Sequence, residues 1–285
     1  MPSTSPRARK GLALVTAVAL VLAIGGYLVY RHVRASLSGC EAAGGSDPVM
    51  LNTQQAAIAA TIAGVAHARR LPAGAVTIAY ATAMQESHMQ NLSSGDLDSV
   101  GVFQQRPSQG WGTPSQLTDP VYATGKFFAA LVKVPGYLRL PVDQAAQAVQ
   151  HSADGSAYQK YADEAAGLSG AFTGHAPHAV WCWYAPGSAP SGSASPEITP
   201  MRQQLLRTFG RLAVRPGTAA SSVTVADVAV RHQTAGWAVA SWLVTHATAY
   251  RISNVLYAGY QWSEAAGSKG WTRDSTAPSG RVELR

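Results

Sequence analysis

Glu86 is the only acidic residue between Arg70 and Asp96, and it closes an alanine-rich stretch before a polar loop that runs into Gly101-Val102-Phe103-Gln104-Gln105. A carboxyl group in the last turn of a helix meets the negative end of the helix dipole, which favours the protonated acid. Burial among neighbouring Ala, Met and Phe side chains acts in the same direction, because desolvation penalises the charged form. A carboxylic acid that keeps its proton near neutral pH can protonate a leaving oxygen, which is the acid's task in glycoside cleavage.

The residues that follow have the chemistry a sugar requires. Sugars are gripped by flat apolar faces and by amides that donate and accept at once; Gln104, Gln105, Gln109 and Gln150 supply amides, and Phe103 and Trp111 supply faces. Gly101 lets the backbone come close to a ligand. A hydrolase commonly adds a second carboxylate to activate water or to act as nucleophile. Asp96 and Asp98 are placed to be that group, although Asp beside Gly in SSGDLDS also suits the closing of a turn. A cleavage that leaves a 1,6-anhydro ring needs only one such group, so both outcomes stay open.

Other chemistries find little footing. His175-x-x-His178 has no nearby Glu partner, and no H-E-x-x-H, G-x-S-x-G or glycine-rich phosphate loop occurs, so neither a metal nor a cofactor is expected. The net charge of +7 suggests a polyanion partner at first sight. Five of the 22 basic residues, however, flank the apolar run near the N-terminus, and the rest of the chain carries 17 basic against 15 acidic residues. Nucleic-acid binding is therefore not expected.

Helical spacing and breaker residues predict the elements that position Glu86. A helix is expected over 53–70 with Thr53 as its N-cap, then a break at Leu71-Pro72, then a helix over 73–87 with Glu86 in its last turn. Asp119-Pro120 opens a third helix over 120–134, and two more are expected over 141–153 and 156–168. No strand pattern is convincing between 52 and 169. Residues 185–200 (APGSAPSGSASPEITP) read as a linker. Beyond it come a helix over 200–213, strands over 223–230, 254–262 and 281–284, and a helix over 236–250, together a small α/β unit.

Gly11 to Tyr30 is an uncharged run of twenty residues, which at 1.5 Å per residue would span about 30 Å, the thickness of a bilayer's hydrocarbon core. Arg7, Arg9 and Lys10 precede it and Arg31 and Arg34 follow, predicting an uncleaved single-pass anchor with a cytoplasmic N-terminus. Cys40 and Cys182 lie too far apart in sequence for a zinc knuckle or a CxxC redox pair. In an oxidising compartment they are expected to pair, the alternative being two unpaired thiols.

With these residues in place, the chain resembles the soluble-lytic-transglycosylase branch of the lysozyme-like superfamily. Glu86-Ser87 and, fifteen residues on, Gly101-Val102-Phe103-Gln104 match that family's Glu-Ser and Gly-Leu-Met-Gln motifs. Asp119-Pro120 with Gly125 resembles its Asp-Pro…Gly helix, and Gln147-Ala148-Val149-Gln150 falls where the family has Ala-Tyr-Asn. The resemblance spans 53–169. It implies a catalytic Glu86 supported by Ser87, a glycan groove built with Gly101, Phe103 and Gln104, and Gln150 facing it from the opposite wall. Val149 departs from the pattern, standing where the family has a tyrosine that orients the acid; Tyr158 or Tyr161 would have to replace it.

The expected architecture is a mainly α lysozyme-like domain over 51–184, preceded by a cytoplasmic N-terminus (1–10), a transmembrane helix (11–30) and a stalk (31–50), and followed by the linker (185–200) and a small α/β accessory domain (201–285). The resemblance implies cleavage of the β-1,4 MurNAc-GlcNAc linkage of peptidoglycan by a lytic transglycosylase. A muramidase using Asp96 or Asp98, and a non-catalytic peptidoglycan-binding scaffold, are the alternatives. The C-terminal unit faintly resembles wall-peptidase domains that have lost their metal-binding residues, and is expected to dock a cell-wall or secretion-apparatus protein.

Overall fold

The computed structural model describes residue 16 and residues 19–27, 37–151, 155–185, 197–210, 212–216, 223–226 and 233–284, with the backbone alone at 155, 213–216 and 223–226. The first hairpin strands are β1 (Gly39–Ala42) and β2 (Val49–Leu51). Helix α1 (Thr53–Ala68) then starts one residue earlier than its sequence suggests: Asn52, not Thr53, is the N-cap. Its side chain accepts from the Gln55 amide at 2.9 Å while Gln55 Oε1 accepts from the Asn52 amide at 2.9 Å, satisfying two orphan donors reciprocally. From Ile58 to Ala66 every residue of α1 is buried, because this helix runs through the middle of the core and has no solvent face.

Leu71-Pro72 breaks the chain, and α2 (Ala73–Ser87) follows with the bounds the sequence predicts. A short helix α3 (Pro114–Leu117) leads to α4 (Pro120–Leu131), whose N-cap Asp119 accepts from the Val121 amide at 3.0 Å. Helix α5 is Val142–Gln150. The helix expected over 156–168 is instead a 3₁₀ segment, Gly155–Tyr161, followed by α6 (Ala162–Phe172).

The expectation of a mainly α domain is corrected by two small sheets that make the protein mixed α/β. In the first, β3 (Val180–Trp183) pairs antiparallel with β1, giving the order β2-β1-β3 with Cys40 opposite Cys182. The disulfide joins these two cysteines. Strands of three or four residues leave almost no period-two signature, and the partner of β1 lies some 140 residues away, so sequence periodicity misses them. The segment read as a stalk thus contributes β1 and β2.

After α7 (Ile198–Phe209), β4 (Ala213–Pro216) and β5 (Val223–Ala226) come α8 (Gln233–Thr245), α9 (Ala247–Tyr250), β6 (Asn254–Tyr257), β7 (Tyr260–Ser263), β8 (Thr272–Arg273) and β9 (Arg281–Leu284). The second sheet has the order β4-β5-β9-β6-β7-β8, antiparallel throughout. The single strand expected over 254–262 is a hairpin. Ala258 (φ 48°) and Gly259 (φ 81°) both take left-handed conformations, as a two-residue turn with the right twist demands.

The C-terminal part packs directly onto the helices. Helix α8 lies along α1, and one continuous hydrophobic core joins the two. The Trp262 indole donates to the Cys182 carbonyl at 3.0 Å, and the Trp271 indole to the Val180 carbonyl at 2.7 Å. Arg207 of α7 pairs with Asp119 at the head of α4.

The expected membrane span is also corrected. Among the described residues no helix is long and apolar enough to cross a membrane. Within 11–30, Thr16 and residues 19–27 are helical. That finding goes against the expected single-pass anchor and the membrane location that rested on it. Residues 1–10, the rest of 11–30, the basic flank Arg31 to Arg34, residues 186–196 of the linker expected over 185–200 and residues 227–230 of the strand expected over 223–230 lie outside the described residues.

A candidate active-site cleft

Helix α2 delivers Glu86 and Ser87 together. The helix ends because His88 (φ 52°) and Met89 (φ 56°) both turn into the left-handed region, and the Met89 amide returns to the Ala83 carbonyl at 2.9 Å. Ser87 is buried and ties the helix end to the loop: its hydroxyl lies 2.7 Å from the Val102 carbonyl and accepts from the Gln90 amide at 3.1 Å. Glu86, one residue earlier, is half-buried and looks out over the loop.

The loop itself is a tight reversal in which Val100 and Gln105 exchange amide–carbonyl hydrogen bonds of 3.0 and 3.1 Å. Gly101 has φ +80°, and a Cβ there would fall 2.1 Å from the Leu117 carbonyl oxygen, so glycine is required both for the conformation and for the approach. Gln104 (φ 46°) is fixed by Ser99 Oγ, 3.1 Å from its Oε1, and by its own Nε2 donating to the Gly101 carbonyl at 3.0 Å. From the opposite wall, Gln150 at the end of α5 donates to the Phe103 carbonyl at 2.8 Å.

These elements enclose a cleft of about 500 Å³ whose lining includes Glu86, Asp96, Gln104, Gln105, Trp111 and Gln150. Ser99, Arg106, Gln109 and His151 complete it; of these only Gln109 carries a signal in the sequence, as one more amide. Gln105 is almost wholly buried, and because its Nε2 donates to the Ala123 carbonyl at 3.3 Å, its Oε1 is left as an acceptor without a partner among the described residues.

Several expected site residues sit elsewhere. Phe103 is fully buried and stacks on Phe127 with ring centroids 4.6 Å apart, so it supports the loop from the core and offers no face to a ligand. Asp98 does not line the cleft. It is held by Arg106 Nε at 2.7 Å and by the Ser108 amide at 2.7 Å. The Arg106 hydrogen bond, helped by that of Ser108, brings its carboxyl down to about 2. Asp98 thus clamps the turn, as its place in SSGDLDS also allowed, while exposed Asp96 does line the cleft.

The phenol that reaches the acid is Tyr158, not Tyr161. Tyr158 is buried in the 3₁₀ segment and its hydroxyl donates to Glu86 Oε1 at 2.6 Å. Tyr161 ends the 3₁₀ segment as the N-cap of α6, with the Lys160 ammonium 4.9 Å from its ring centroid. Only the conformation of 155–161 separates the two, and three residues cannot be resolved by helical spacing in a segment that is not α-helical.

Chemically, the arrangement presents one half-buried carboxyl with one oxygen satisfied by a phenol and the other available to a ligand, facing amides and one half-buried indole. Among the described residues no group of three or more His, Cys, Asp or Glu side chains is placed to hold a metal ion. No protein-family model matches the chain, and no curated protein matches it.

Proposed function

We propose that the protein cleaves the glycan strands of peptidoglycan at the β-1,4 MurNAc-GlcNAc linkage, with Glu86 as general acid and then general base, in the manner of a lytic transglycosylase. The observation that carries this reading is the 2.6 Å hydrogen bond from Tyr158 to Glu86 Oε1 at the wall of an amide-lined cleft. A donor on one oxygen fixes the carboxyl's rotation and directs the other oxygen at whatever occupies the cleft. It also leaves the Val149 departure without consequence, since a phenol reaches the acid by another route.

In the first step Glu86 gives its proton to the glycosidic oxygen as the bond from the muramyl C1 to that oxygen breaks. The Glu86 carboxylate then takes the proton of the muramyl C6 hydroxyl while O6 closes on C1, forming the 1,6-anhydro ring and restoring the acid. No second carboxylate is needed, which accords with Asp98 being committed to Arg106 and Ser108. A muramidase reading rests on Asp96, the other carboxylate along the cleft among the described residues.

Digestion of purified sacculi followed by mass measurement of the released muropeptides tests the proposal. Anhydro ends are expected. Reducing ends, one water heavier, would transfer the chemistry to the muramidase reading, and binding without release would leave only a scaffold.

A further inference from the structure

A second hollow adjoins the cleft. It measures about 560 Å³ and shares Trp111 and His151 with the first as common walls. Its character differs. Among the described residues the cleft is lined by the carboxyl groups of Glu86 and Asp96 and by amides, its one arginine, Arg106, being paired with Asp98. Among the described residues that line the hollow none is acidic; small apolar side chains from the end of α4 and from α5 line it together with Lys126 and Lys133. Among the described residues neither lysine takes part in an ion pair, although Lys126 Nζ lies 5.6 Å from the centroid of the Tyr122 ring.

From this polarity we infer that the hollow receives the carboxylate-bearing peptide arm carried by the muramyl residues of the glycan, so that the protein prefers peptide-substituted strands to bare ones. This inference rests on the glycan reading of the cleft. An anionic arm is repelled by the exposed Asp96 carboxylate and attracted to the lysines, which sets which way along the trough the arm projects. The walls suit a short peptide of small side chains, whose alanyl methyl groups meet Ala129, Ala130 and Val149 while its free carboxylates reach the ammonium groups. The indole of Trp111, half-buried at the partition, is the surface on which the last sugar would rest before the arm departs.

The test uses the full chain carrying Glu86→Gln to prevent turnover, and compares its affinity for a muramyl-containing tetrasaccharide bearing its peptides with that for the same tetrasaccharide stripped by an amidase. Two partly exposed ion contacts correspond to a preference of about three- to tenfold for the peptide-bearing form, weakened by added salt. The ratio is expected to fall to about one when Lys126→Ala and Lys133→Ala are added, and to survive Lys126→Arg with Lys133→Arg. Equal affinity for the two ligands, or a preference that persists in the alanine pair, would overturn the inference and leave the cleft reading untouched. Failure of both ligands to bind would overturn the cleft reading and this inference with it.

Discussion

The loop beneath the cleft is fastened to helix α2 by polar atoms, whereas the seam between the helices and the six-stranded sheet is fastened by aromatic surface. Around Glu86 the ties are Ser87 to Val102, Gln104 to Ser99 and Gly101, Gln150 to Phe103 and Tyr158 to Glu86, each a directional hydrogen bond that fixes one atom. Along the seam, Trp237, Trp242 and Trp262 are buried, with Trp237 packed edge-on against Tyr257 at 5.1 Å and Trp271 at 5.2 Å. Hydrogen bonds place reacting groups to a fraction of an ångström but add little net stability each. Buried aromatic area adds much stability and tolerates small displacements. The two regions should therefore respond oppositely to substitution.

The largest effect on stability is expected at the seam. Trp262→Ala removes a fully buried indole and its hydrogen bond to Cys182, and should cost about 3–5 kcal/mol of unfolding free energy in denaturant titration. The surviving folded molecules should release muropeptides at nearly the wild-type rate. A parallel collapse of turnover at temperatures where the variant is folded would erase the distinction between the regions.

Ser87→Ala comes next, leaving the Val102 carbonyl without its partner while the Gln90 amide keeps only the Ser87 backbone carbonyl. It should cost about 1–3 kcal/mol in stability. Turnover should fall by more than the loss of folded protein explains, because the loop that faces Glu86 is released. Tyr158→Phe sharpens the contrast further. It should leave stability within about 1 kcal/mol and lower kcat roughly tenfold at unchanged KM, the mark of a positioning group lost from the transition state. An unchanged kcat would remove Tyr158 from the account.

The smallest effects are expected from pH, and they too divide by region. Burial lowers the pKa of His246, stacked on Trp242 at 4.0 Å, to about 4, and its contact with the Trp242 carbonyl opposes that shift only in part. Its folded value lies below the unfolded one near 6.5, so the neutral ring contributes stability above pH 6.5 that is lost as pH falls towards 4. Replacing it by Phe should flatten that part of the stability profile. In the cleft loop the sign is the same but the window is lower: Asp98 contributes above its unfolded value near 4 and loses its contribution as pH falls towards 2, a change that Asp98→Asn should abolish.

The same division governs what could be read in the sequence. The bounds of α2, the loop glycine at 101 and the place of Gln104 and Gln150 are set by neighbours close in the chain or by a motif of fixed spacing, and they are legible. So is β9, whose predicted bounds of 281–284 are those observed. The three-stranded sheet is not, because β1 and β3 acquire their meaning only from each other across the disulfide. Phe103 reads as a cleft residue because an aromatic in a sugar-binding motif and an aromatic in a core look alike in sequence; only the Phe127 ring beside it decides. Asp96 and Asp98 differ by two residues, yet the Arg106 side chain takes one of them and leaves the other to the cleft.

Everything said of the cleft depends on Glu86 being the group that moves the proton. Substitution by the isosteric Gln keeps its shape and its contact with Tyr158 while removing the acid. Muropeptide release from sacculi by Glu86→Gln, measured against the wild type at equal folded concentration, should fall by a factor of about a hundred to ten thousand with glycan binding retained. Release at the wild-type rate would contradict the account.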